Sequence, residues 1–210
     1  MTDNEIINPE LAQCEVHGMT RSAFILRGAL AAGAFYGTAS VAPFVSQALA
    51  AEESGDVGIL NFALTLEYLE ADFYNVKGKA LALSGEARKY AREFGAEEAA
   101  HVTALSAAIK QLGGKPVAKP TFVFPATSEK TFLALASVLE NTGVGAYNGA
   151  APSLKSKEVL ASAGSIVQIE ARHAAAIDLL IGKSPTPNEG FDKPLMKSEV
   201  LTAVKPLIKA

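Results

Sequence analysis

Cysteine is almost absent: Cys14 is the only one in 210 residues. The chain can therefore form no internal disulfide, no thiolate zinc cluster and no iron–sulfur centre. It also lacks any basic block, since 19 Lys and Arg stand against 22 Asp and Glu for a formal charge of −3. That balance excludes nucleic-acid binding by general electrostatics. No apolar run is long and hydrophobic enough to read as a membrane span of about 20 residues. What is present, 49% hydrophobic and 20% charged residues in 21.9 kDa, suits one globular domain with a substantial core.

The first fifty residues differ in kind from the rest. A polar stretch to Thr20 is followed by Arg21 and Arg27, the apolar run GALAAGAFYGTASVAPFV, and SQALA. Basic flank, apolar middle and the small-residue pattern Ala48-Leu49-Ala50 are the order of an export signal, with cleavage expected after Ala50. The string TRSAFILRGALAAGA resembles a twin-arginine export signal in which Ser22 replaces the second arginine. This resemblance implies a periplasmic or extracellular protein that folds, and often takes up metal, before crossing the membrane. Removing residues 1–50 leaves 17 basic and 18 acidic groups, no thiol, and only His101 and His173 as histidines.

Beyond that point the pattern is helical throughout. Leu60, Ala63, Leu64, Ala71 and Tyr74 recur at spacings of three, four and seven, predicting a helix from Gly55 to about Ser84. Ser54 or Asp56 is placed to cap its start. A second helix is predicted from about Gly85 to Leu112, stopped by Gly113-Gly114. The linker KPVAKPTFVFPATS leads to a third helix opened by Ser128 and broken at Pro152. A fourth runs from about Lys157 to Ile181 and ends at Gly182. Residues 185–210 form a tail in which 198–208 are expected to make a short helix. The fold class is thus all-α: residues 51–184 form a four-helix bundle of two helix hairpins. The linker, at about 3.3 Å per residue, is long enough to cross over the whole bundle between helices two and three.

The two hairpins repeat one another. LNFALTLEYLEADFY aligns with LALASVLENTGVGAY at an offset of 73, placing Glu67 on Glu140 and Tyr74 on Tyr147. EEAAH aligns with the end of QIEARH at an offset of 72, placing Glu98 on Glu170 and His101 on His173. Glu-x-x-His puts carboxylate and imidazole on one helix face, one turn apart. Glu67 lies 17 residues before Ser84, and Glu98 and His101 lie 13 and 16 residues after Gly85. At about 1.5 Å per residue these heights agree within a turn, so all six groups are expected in one layer.

Four carboxylates in an apolar interior are costly without a counter-charge. Two divalent ions would neutralise them, and oxygen with imidazole donors suits iron first, manganese as an alternative, with zinc or copper not distinguished by ligand type.

Carried by LNFALTLEYLEADFY and IEARHAAAIDLL, the chain from 55 to 182 resembles the ferritin-like superfamily, and in particular its exported, desiccation-related members. The resemblance implies metal ligation by Glu67 and Glu140 from helices one and three, and by Glu98, His101, Glu170 and His173 from helices two and four, with one Glu of the Glu-x-x-His pairs bridging the ions. Activity follows as an expectation: a di-iron oxidase or ferroxidase acting on dioxygen or peroxide in stress protection. A dimanganese catalase and a non-enzymatic protein stabilised by its ions are the alternatives, and a homo-oligomer is compatible with either.

Neighbouring residues read less sharply. Glu70, aligned with Gly143, is a candidate for contact with the ligands, whereas Glu97 reads as a solvated neighbour. Tyr74 and Tyr147 are either core aromatics or hydrogen-bond partners of the ligands. Arg172 is expected to face solvent, and Asp178 falls on a different face from His173.

Overall fold

The computed structural model describes residues 55–209. The expected export signal, with Cys14 and His17, lies outside the described residues, as does Ser54. Five α-helices follow in order: α1 (Asp56–Asp72), α2 (Gly85–Gln111), α3 (Glu129–Ala150), α4 (Lys157–Leu180) and α5 (Lys197–Val204). Helix α1 packs on α2 and α3 on α4, giving the two expected hairpins. Among the described residues there is no strand, only an isolated antiparallel bridge between Phe122 and Ile208. The all-α reading holds.

Helix α1 departs from the predicted one in two ways. It passes into a π-helical stretch at Phe73–Gly78, and helical structure ends at Ala80, with Ser84 serving instead as the residue before α2. Asp56 does not cap its own helix. Its carboxylate accepts from the Lys155 and Ser156 backbone N–H groups, both at 2.8 Å, and so ties the start of α1 to the α3–α4 turn. Those two bonds also hold the Asp56 carboxyl below its ordinary value. Ser128 caps α3 as expected, sharing reciprocal bonds with Thr131. Glu129 reaches back to accept from the Ser84 N–H and hydroxyl.

The crossover between α2 and α3 follows α1. Asn61 near the start of α1 donates to the Lys115 carbonyl and accepts from Val117 N–H. Further along, Lys119 pairs with Asp72 at 2.8 Å, and Phe124 meets the Phe73 ring edge-on at 5.3 Å. Its end is fastened by the tail, where Val123 N–H donates to Leu207 and Lys209 N–H to Thr121. Helix α5 buries Val200 and Val204 against the bundle.

Two apolar clusters fill the interior. One gathers Phe73, Tyr74, Phe94, Phe132, Leu139 and Ile177. The other gathers Leu60, Leu64, Leu105, Tyr147, Val159 and Ile166. On each of α1, α2 and α4 the chain passes from one cluster to the other through the Glu and His positions. The polar layer therefore sits between two hydrophobic plugs that exclude water from it.

Gly149 of α3 makes the seat for the tail. A Cβ there would stand 1.9 Å from the Leu195 carbonyl oxygen. No backbone shift of a few tenths of an ångström relieves that clash, so Gly149→Ala should destabilise the chain by about 1–3 kcal/mol. We expect a lower Tm and faster proteolysis between 183 and 197, while substitution at the open Gly164 should leave both unchanged.

Candidate metal centre

Glu67 on α1, Glu98 and His101 on α2, Glu140 on α3, and Glu170 and His173 on α4 converge in one buried layer. The four glutamates are fully buried, and His101 and His173 are 8% and 1% exposed. Two overlapping groups form. Glu67, Glu98, His101 and Glu170 present ligand atoms all within 4.8 Å of one another, and so do Glu98, Glu140, Glu170 and His173. Glu98 and Glu170 are common to both groups.

The contacts within the layer are close, and only some of them are hydrogen bonds. His101 Nδ1 lies 3.1 Å from oxygens of Glu67, Glu98 and Glu170 together. His173 Nδ1 lies 2.9 Å from Glu98 Oε1 and 3.4 Å from Glu140 Oε2. Even so, His173 Nδ1, Glu98 Oε1, Glu140 Oε2 and both Glu170 oxygens are buried without a hydrogen bond. Buried polar atoms are normally satisfied. Donor atoms that face one another at 2.9 and 3.4 Å with no hydrogen bond between them fit a divalent cation placed among them. The donor set of oxygen and imidazole suits that group.

Electrostatics report the same crowding. Burial pushes Glu67 up to about 8 despite the His101 hydrogen bond. Burial likewise raises Glu140, and Glu170 well above its ordinary value, with repulsion from Glu98 adding to both. Glu98 alone goes the other way: burial would raise it, but the close imidazoles of His101 and His173 hold it down to about 2. Burial also opposes the charge on the imidazoles, yet their carboxylate partners push His101 up to about 12 and His173 up to about 11. Left to protons alone, the layer approaches neutrality by keeping imidazolium and neutral carboxyl groups.

Both tyrosine hydroxyls reach the layer, and they do so crosswise. Tyr74 of the first hairpin donates to Glu140 Oε1 of the second at 2.5 Å. Tyr147 of the second donates to Glu67 Oε1 of the first. Burial, reinforced by the facing carboxylate, raises both phenols, so they stay protonated donors.

Two carboxylates have no counterpart in the repeat. Glu70 is 2% exposed and its Oε2 makes no hydrogen bond. Burial, then repulsion from Glu170, keeps it far above the usual range. Glu97 is no mere solvated neighbour, because its Oε2 lies 2.6 Å from His173 Nε2. Sequence spacing missed this because Glu97 is half-exposed and aligns with Ile169; its place beside Glu98 was the only signal. Arg172 is exposed as expected. Asp178 is buried apart from the layer, accepting from the Ser137 hydroxyl and Asn141 amide.

No curated protein matches the chain. The ferritin-like domain, in contrast, matches residues 55–183, the span that holds both hairpins and every residue of the layer. With more than half of its length matched, the chain belongs to the ferritin-like domain family.

Proposed function

We propose that this protein is an exported two-ion carboxylate protein, with iron as its resident metal, that oxidises ferrous iron or consumes peroxide outside the cytoplasm. The observation that carries the reading is the set of unbonded, mutually facing oxygen and nitrogen atoms at Glu98, Glu140, Glu170 and His173. Glu67, Glu98, His101 and Glu170 would hold one ion, and Glu98, Glu140, Glu170 and His173 the other. When bound, an iron pair supplies two electrons for the reduction of dioxygen or peroxide.

The chain's own residues do the rest. Tyr74 and Tyr147 fix the terminal glutamates by their hydroxyls, which sets carboxylate orientation before any ion arrives. The two apolar clusters keep bulk water out. His101 is the most accessible of the six, its side chain 11% exposed against 2% for His173. A crevice of about 460 Å³ between α2 and α4 is walled by Leu105 and Ile166, one turn from His101 and Glu170 respectively.

Metal analysis followed by turnover tests this. The full chain should hold about two ions and consume dioxygen with ferrous iron, or peroxide, whereas Glu98→Ala with His101→Ala should lose both metal and turnover. Unchanged metal content in that variant would falsify the assignment. Oxygen release from peroxide by a manganese-loaded chain would point instead to the catalase reading.

A second expectation concerns pH. His101 in the metal-free chain is raised from an ordinary 6.5 to about 12 and Glu67 from 4.5 to about 8, so both carry protons at pH 7. Groups raised on folding stabilise the metal-free fold most at low pH and lose that contribution as pH climbs through the folded values. Cations must displace those same protons, so metal affinity rises with pH. The gain in Tm on adding metal should therefore be larger at pH 8 than at pH 5.5. At 100 times Kd it corresponds to about 2.7 kcal/mol. An equal gain at both pH values would contradict the displacement of protons.

A further inference from the structure

The duplication supplies matched ligands to both halves of the layer, but the surroundings are not matched. At the offset of 72, Phe94 and Glu97 of α2 align with Ile166 and Ile169 of α4. At the offset of 73, Glu70 of α1 aligns with Gly143 of α3. Phe94 and Glu97 both act on His173.

His173 is held on two fronts. Glu97 Oε2 takes its Nε2 at 2.6 Å, while its Nδ1 faces Glu98 and Glu140. A carboxylate on the outer nitrogen keeps the proton there, frees the inner lone pair for a cation and makes the imidazole a stronger donor. Phe94 stacks on the same ring with centroids 3.9 Å apart, which fixes its plane. His101 has neither support: its aligned neighbours are the aliphatic Ile166 and Ile169.

Glu70 departs from the repeat as well. A Cβ on Gly143 would lie 3.0 Å from Glu170 Oε2 and 3.3 Å from Glu70 Oε1. The missing side chain at 143 thus leaves the space across which Glu70 approaches Glu170, one turn along α3 from Glu140. Glu70 Oε2, buried and unbonded, is a further oxygen available to a cation in the layer.

We propose that the two metal positions are unequal, and that the position of Glu140 and His173 binds its ion more tightly than that of Glu67 and His101 because Glu97 and Phe94 support His173 and have no counterpart beside His101. This rests on the two-ion reading above, and the loading is stepwise: one ion settles beside His173 before the second joins at His101.

Calorimetric titration of the metal-free full chain with manganese(II), repeated with cobalt(II) followed by visible absorption, tests the inequality. Two resolved steps are expected. Glu97→Gln, at a half-exposed position that keeps the fold, should weaken the tighter step about 10- to 100-fold and leave the weaker one in place. Two equal affinities in the parent chain, an unaltered tight step in that variant, or equal loss from both steps would overturn the inequality and leave the two-ion centre standing. Failure of the parent chain to bind either metal would instead overturn the centre itself.

Discussion

A layer of ionisable groups sealed between two apolar clusters is the constraint to which the remainder of the bundle answers. Five glutamates, each no more than 2% exposed, share it with two imidazoles. Uncompensated burial of one carboxylate costs several kcal/mol, so the layer is tolerable only if each charge is met by a cation, a proton or a directed hydrogen bond. The helices supply part of that compensation through the tyrosine hydroxyls, and the imidazoles supply another part. The atoms left over face one another, and that remainder is what gives the site its chemistry.

Much of this could be read along the chain, because repetition carries information that a single motif lacks. The Glu-x-x-His pairs lie on faces set by helical period, and matched heights within each hairpin place them at one level. Helix ends at Gly113 and Gly182 were legible because both need positive φ, 78° and 75°, which glycine adopts without strain. The crossover was legible from its length and prolines. Its path along α1 was not, since it depends on side chains such as Asn61 and Lys119 that carry no positional signature of their own.

The end of helix one was harder to place for a physical reason. Glu67 and Glu98 are 31 residues apart while Glu140 and Glu170 are 30 apart. The π-helical stretch at Phe73–Gly78 lies within the longer span and accommodates the additional residue, and such stretches are invisible to a pattern of period 3.6. Glu97 escaped for a different reason. A half-exposed acid next to a Glu-x-x-His position is indistinguishable in sequence from any solvated charge until the opposing helix is in place.

The crossed tyrosines carry a consequence for how such a bundle can arise. Tyr74 serves the glutamate of the second hairpin and Tyr147 that of the first, so a lone hairpin leaves its own acid without a donor and its own phenol without an acceptor. A short ancestral polypeptide comprising one hairpin would meet both needs by associating with an identical molecule about a twofold axis. Gene fusion would then preserve the reciprocity and release each copy to diverge, as the Glu70 and Gly143 pair has done.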